Sequence, residues 1–347
     1  MRRSASLSLS SPSSGRRNKI LDVSAETSDP IEELFARGVT DGLPVVPPTA
    51  ERVQAAVAAS GRRGDELIGL VAPANGRATV ERVAINAVMA GCRPEYLPVV
   101  LAAVEAICDP DFALVGVSGT TDAVAPLVIV NGPVRRALEV NCAASVFGAG
   151  FRANATIGRA LRLVWVNVGG ARPGVISMST FGQPGRYSYC IGEHEDASPW
   201  EPLSVEHGFA AGESTVAVMA AEPPQVVVNA TGRTAREILS TVARAGTVIA
   251  SPDVAPLGDT LLVIAPEHAA TIAADGWSKA DVRRFVWDEC RIVIDGAGAP
   301  KFSEPERLHI VVAGGTAGRF SAWVPGWPFR GAPSRLVLKR VRLPGRV

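Results

Sequence analysis

Apolar positions along this chain recur at helical and at strand spacing, and the polar punctuation between them marks out elements. Ile31, Leu34 and Phe35 predict a short helix over residues 31–37, where ordered structure begins near Asp29. Residues 40–49, TDGLPVVPPT, carry prolines that exclude a helix interior, and they predict a turn followed by an extended strand. Thr49 then caps a helix, ERVQAAVAAS, that ends before Gly61. Behind the cap Thr79, the stripe Val80, Val83, Ala84, Ala87 and Val88 predicts an amphipathic helix stopped by Gly91. Pro94 opens another, through Tyr96, Leu97, Val100, Leu101, Val104 and Ile107, apolar on almost every side and so expected deep in a core.

Two short β-branched runs, residues 113–118 and 126–131, read as buried strands. The second passes through Asn131-Gly132-Pro133 into the helix PVRRALEV. Strand, tight turn and helix in succession belong to α/β sheets, whose ligands gather beyond the carboxyl ends of strands, so Thr120, Thr121 and Asn131 are candidates for a site mouth or for turn formation. Asn154 is the expected cap of a helix running to about Val168. After the loop at 198–202 come strands at 214–219 and 225–230, then a Thr234/Glu237 capping box opening a helix that ends at Gly246. A strand at 260–265, a short helix carrying His268, a helix from Ser278 with Asp281, and a strand at 308–313 follow. Residues 335–347 alternate apolar and basic side chains, as an edge strand or a subunit contact of a homo-oligomer would.

The expected fold class is α/β, with two α/β lobes and mainly parallel or mixed sheets. A disordered tail occupies residues 1–28, the first lobe 29–202 and the second 203–347. PLVIVNGPVRRALE and PQVVVNATGRTAREIL share a strand-Asn-turn-helix pattern, so a weak internal duplication with the site between the lobes is expected.

Charge and composition narrow the function classes. A net charge of +1 leaves no basic field to hold a nucleic acid or an anionic membrane. Arg2-Arg3 is followed by no apolar h-region, so no export signal is expected, and no apolar run is long and unpunctuated enough for a membrane span. Cys92, Cys108, Cys142, Cys190 and Cys290 are dispersed with no CxxC, which fits a reducing cytoplasm. The histidines 194, 207, 268 and 309 form no metal-binding motif, and no cofactor is identified by the sequence.

Most of the candidate chemistry lies between Asn131 and Trp200. The glycine-bearing loop 147–153 leads into a helix start, where backbone N–H groups and the helix dipole favour an anion. Arg152, Asn154, Thr156 and Arg159 would hold it, with Asn131 nearby. Downstream, Glu193, His194, Glu195 and Asp196 stand in a Gly/Pro/Ser-rich loop as an acid/base cluster, the bland alternative being a solvated acidic turn. Gly314, Gly315, Gly318 and Arg319 form a second candidate anion cradle after a strand. Cys92 reads as a small buried hydrophobe and His268 as a cap or core partner.

The segments TDGLPVVPPT, ATVERVAINAVMAGCRPEYLPVVLAAVEA, IVNGPVRRALE, FRANATIGRALRLVWVNVGGARPG, ASPWEPL, EHAATIAADGWSKADVRRF and HIVVAGGTAGRFSAW together resemble a bacterial family associated with small proteins bearing a Sec-Gly-Ser-Cys or Cys-Gly-Ser-Cys motif. Those small proteins, the UGSC group, are themselves likened to selenoprotein subunits of glycine and sarcosine reductases. The resemblance runs roughly from Asp29 to Trp327. It implies a cytoplasmic redox or carbon–heteroatom bond enzyme working with a separate thiol or selenol redox protein. This chain has no Sec-Gly-Ser-Cys of its own, so the thiol would come from a partner or from a lone cysteine. Cys142 and Cys190 lie nearest in sequence to the expected site; relatives need not carry cysteine at 142, and Cys190, just ahead of the acidic loop, is the first candidate. The expectation is therefore an enzyme holding a small anionic substrate with Arg152, Asn154 and Arg159 while Glu193 or Glu195 moves a proton. The alternatives are a noncatalytic partner that presents substrate to a redox protein, and a metal-dependent hydrolase or hydratase.

Overall fold

Where local signals are strong, the chain folds as its side chains direct. The structure, a computed structural model, describes residues 29–251, 253, 256–294, 296–327 and 334–345; the expected tail at 1–28 lies outside them. The helices in chain order are α1 Pro30–Ala36, α2 Ala50–Ser60, α3 Val80–Ala90, α4 Leu97–Ile107, α5 Leu114–Gly119, α6 Pro133–Ala137, α7 Arg152–Asn167, α8 Leu203–Glu206, α9 Ala235–Gly246, α10 Pro266–Ala274 and α11 Lys279–Glu289. The strands are β1 Leu67–Val71, β2 Gly76–Thr79, β3 Ala125–Asn131, β4 Cys190–Gly192, β5 Thr215–Ala221, β6 Gln225–Val228, β7 Thr260–Ile264, β8 Arg291–Ile294, β9 Ala297–Pro300, β10 Leu308–Val312, β11 Phe320–Val324 and β12 Val337–Arg340. Thr49 and Thr79 accept the N–H groups of Arg52 and Arg82 at the starts of α2 and α3, and both helices end on a left-handed glycine, Gly61 or Gly91. Thr234 with Glu237, and Ser278 with Asp281, close reciprocal capping boxes on α9 and α11.

The fold is α/β, with four layers. Of the two four-stranded mixed sheets, one has the order β12-β5-β3-β4 and the other β10-β7-β11-β6, and β1-β2 and β8-β9 form separate antiparallel pairs. The pairs β3·β4 and β7·β10 are parallel, and the remaining pairs in both sheets are antiparallel. Because strand side chains alternate faces, Leu127, Ile129, Ala217 and Met219 of the first sheet meet Leu261, Val263, Val311 and Val324 of the second in one buried core between the sheets. The opposite faces point outward: Val128, Val130, Val216 and Val218 lie under α3, α4 and α7, and Leu262, Ile264, Ile310 and Trp323 under α9, α10 and α11. Strands buried on both faces account for the unbroken apolar runs.

The duplication is real in topology and differs from the one expected. Leaving aside α8 in the first run and the β8-β9 pair in the second, the succession β3-α6-α7-β4-β5 recurs as β7-α10-α11-β10-β11, with the same strand directions in each sheet. Each unit then passes its next strand to the other sheet, β6 after β5 and β12 after β11. Residue 202 therefore does not part the sheets, since β5 pairs with β3 on one side and with β12 on the other. The sequence match of β3 with β6 aligned a central strand with an edge strand; the topological counterpart of β3 is β7.

Two further expectations fail for local reasons. The run at 113–118 folds as α5 rather than a strand: Ala113, at φ 54°, precedes the helix as its N-cap, Ser118 donates to the carbonyl of Leu114 at 2.6 Å, and Val115 faces solvent while Leu114, Val117 and Ser118 are buried. That three-to-four spacing is a helix stripe, which a short apolar run hides. With no strand there, Thr120 and Thr121 lie ahead of β3, at the end away from Asn131. Residues 44–49 form an extended segment outside any sheet, tied to α3 by the Val46 N–H on the Met89 carbonyl at 3.0 Å.

Candidate functional site

β3 and β4 are parallel neighbours, with Val130 opposite Gly192, so the residues leaving their carboxyl ends are brought side by side. Gly132 turns the chain there at φ 80°, where a Cβ would come within 2.1 Å of the Glu213 carbonyl oxygen; only glycine fits. Asn131 is fully buried and donates its amide to Glu193 Oε2 at 2.6 Å and Glu195 Oε1 at 3.3 Å, and the Gly132 N–H meets the same Glu195 oxygen at 2.7 Å.

The acidic run is thus not the exposed loop expected from its composition. Glu193 is fully buried; its Oε2 also accepts the Leu203 N–H at 2.9 Å, and Lys279 Nζ stands 3.8 Å from its Oε1. Lys279 is held by Glu206 at 2.8 Å and by the Glu201 carbonyl at 2.7 Å. Burial outweighs the Lys279 charge and the hydrogen bonds from Asn131 and Leu203, pushing the Glu193 carboxyl up to about 7. The His194 N–H donates to the Val312 carbonyl at 2.7 Å, binding the acidic segment to β10, while burial and then Arg135 hold its imidazole below the usual range. Arg135, only 6% exposed, gives Nη2 to Asp196 at 2.8 Å and Nη1 to Cys142 Sγ at 3.2 Å, and its Nε, 3.8 Å from Glu195, makes no hydrogen bond. Arg136 also pairs with Asp196.

The second half of the expected site, the start of α7, is arranged differently from its sequence reading. The helix begins two residues before Asn154, with Phe151 at the N-cap and no side chain capping it. Asn154 is buried inside the first turn. It accepts the Asn141 N–H at 2.7 Å and donates to the carbonyls of Asn141 at 2.9 Å and Cys190 at 3.1 Å, stapling the preceding loop to β4. Arg159 is committed to Asp41 through two bonds of 2.8 Å and to the carbonyls of Leu43 and Pro44, and Thr156 bonds back to the Arg152 carbonyl, so neither is available to a ligand. Arg152 reaches the Gly91 carbonyl with Nε at 3.1 Å and Nη2 at 3.0 Å.

At this helix tip lies a cleft of 580 Å³ walled by Arg93, Arg135, Arg136 and Arg152, with Cys142 in its lining and Glu139 its single carboxylate. Arg93 is exposed, and its guanidinium has no hydrogen-bond or ion-pair partner among the described residues. The thiol of Cys142 is raised chiefly by burial, with the Arg135 charge acting against it. Cys190, the thiol favoured by sequence position, lies in β4 with burial raising it far above the ordinary range, and it does not line this cleft. Arg93, Arg135 and Arg136 are the groups that sequence reasoning passed over as site residues, and Cys142 is the thiol it placed behind Cys190. The available signal was the pair of arginines two residues past Asn131-Gly132-Pro133, at the position where α/β proteins place ligands.

The second cradle is filled by the protein itself. Glu267 Oε2 accepts the Gly318 N–H at 3.0 Å and Glu267 Oε1 binds Arg319 at 2.8 Å, so these groups already hold a carboxylate. Gly314 donates to the Cys142 carbonyl at 2.8 Å, and Gly315 lies against Ala144; both glycines buttress the cleft's loop from the far sheet. His268 is fully buried between Ser321 Oγ at 3.0 Å and the Asn229 carbonyl at 3.2 Å, a core partner as expected. Among the described residues no group of three or more His, Cys, Asp or Glu side chains is arranged to hold a metal ion.

No family model, no curated protein and no solved structure matches this chain. Its class is defined by fold and site: a four-layer α/β protein with an arginine-walled cleft where a long helix starts. Among the described residues, no helix is long and apolar enough to cross a membrane.

Proposed function

We propose that this chain is an enzyme subunit that binds a small anionic substrate in the arginine-walled cleft and takes part in reductive or lytic chemistry at a carbon–heteroatom bond, with a separate thiol or selenol protein as redox partner. The observation that carries the binding half is the cleft: four guanidinium groups against one carboxylate, at the uncapped N-terminus of a sixteen-residue helix. Arg135 is oriented from behind by Asp196 and Glu195, so the acidic segment serves the site by positioning a cation. The chemical half rests on the sequence resemblance.

The cysteine geometry favours the reading in which the reacting thiol comes from the partner. Burial keeps both Cys142 and Cys190 protonated in the ordinary range of pH, whereas the nucleophile in thiol chemistry is the thiolate. Titration calorimetry with sulfate and acetate tests the anion site. The wild-type chain binds, and Arg93→Ala weakens binding by about tenfold without loss of stability, since Arg93 has no other partner. Absence of binding to the wild type overturns the proposal. Turnover of a bound anion only after the thiol or selenol protein is added tests the division of labour; turnover by the chain alone overturns that division.

A further inference from the structure

The arginine-walled cleft does not end at Arg93 and Arg152. Both residues also wall a second cavity of 530 Å³ on their other side, under α2 and α3. Its chemistry differs from that of the first. Val46, Ala55, Ala56, Ala87, Val88 and Pro94 supply an apolar lining, with Glu51 and Arg52 the other charged residues there. Arg52 is turned away to the Pro47 carbonyl at 3.0 Å, and Arg152 is pinned on the Gly91 carbonyl, between the two spaces. In the first compartment Arg135 is an almost completely buried cation in the lining, fixed in place by Asp196 and Cys142, while the Arg93 guanidinium beside it is exposed.

We infer that the two compartments form one site for an amphipathic anion: a carboxylate-like head group at the α7 tip with Arg135, Arg136 and Arg93, and an unbranched apolar body of several carbons lying past Arg93 and Arg152 against α2 and α3. This rests on the anion reading above and adds the substrate class to it. A head group alone would leave the apolar compartment to water, whereas an alkyl chain there gains burial for each methylene. A second charge at the far end is disfavoured by the apolar lining and by Glu51.

The test is a chain-length series of straight-chain carboxylates, acetate to octanoate, titrated into the intact protein by calorimetry. Affinity rises by about two- to fourfold for each added methylene until the compartment is filled, then levels off. Ala55→Trp, on the exposed face of α2 where the new ring enters the compartment without disturbing the core, abolishes the dependence on length and leaves acetate binding unchanged. Acetate and octanoate binding equally well to the wild type overturns the inference while sparing the anion site. Failure of every carboxylate, together with sulfate, overturns the anion site itself. A length dependence that persists undiminished in Ala55→Trp places the chain elsewhere and also overturns the inference.

Discussion

Glu193 shows how far a residue's surroundings can depart from its neighbourhood in sequence. Followed by His194, Glu195 and Asp196 in a loop-forming stretch, it has the composition of a solvated turn, yet it is fully buried. The protonated form is favoured in the fold, so its folded pKa of about 7 stands above the ordinary 4.5. A carboxyl shifted in this direction contributes stability below its unfolded pKa, and that contribution is lost as pH rises through the folded value. Glu222, also raised to about 7 and chiefly by burial, acts in the same sense. The wild-type melting temperature should therefore fall between about pH 5 and about pH 8, and Glu193→Gln, which keeps an acceptor for Asn131 and Leu203, should shrink that fall without removing it. Thermal scans across this range decide the matter: a variant profile that parallels the wild type would show that Glu193 titrates as an ordinary carboxyl.

Among the elements, α7 and the loop ahead of it set the geometry of the cleft. The N-terminus of α7 is open because the residue best suited to cap it, Asn154, is used one turn inside to bind Asn141 and the Cys190 carbonyl. Asn154→Ala leaves a buried N–H and two carbonyls short of partners and should cost about 2–3 kcal/mol in chemical denaturation. It should also lower anion affinity, since the loop bearing Asn141 and Cys142 is then released from β4. Full stability with wild-type affinity would remove Asn154 from this role. How legible each element was follows its local signals. The ends of α2, α3, α9 and α11 were readable because threonine, serine and glycine satisfy or terminate the helix within three residues. The helix α5 was not, because a six-residue apolar run carries no periodicity strong enough to separate it from a strand.

Across the whole molecule, each half gives a strand to the other's sheet, and a single apolar core joins the two sheets. Separation of the halves after β6 would leave β3–β5 without β12 and the β7 sheet without β6, with Leu127, Ile129, Leu261 and Val263 in water. The intact chain should therefore unfold in one transition, and residues 29–231 and 232–347 should each fail to fold alone but recover the native circular dichroism when mixed. Two resolved transitions in the intact chain, or a stably folded fragment, would count against the exchange as the source of cooperativity.

Local physics settled a great deal from the sequence alone: the α/β class, most helix ends and most of the buried strands. These depend on the spacing of apolar side chains and on capping groups a few residues apart. Only the tertiary structure decided which arginines are free and which are spent. Asp41 occupies Arg159, Glu267 occupies Arg319, and Arg93 is left open to solvent at the cleft. Those pairings join residues as much as 118 positions apart, and a guanidinium's partner is chosen by the packing of helices and strands, which no local pattern records.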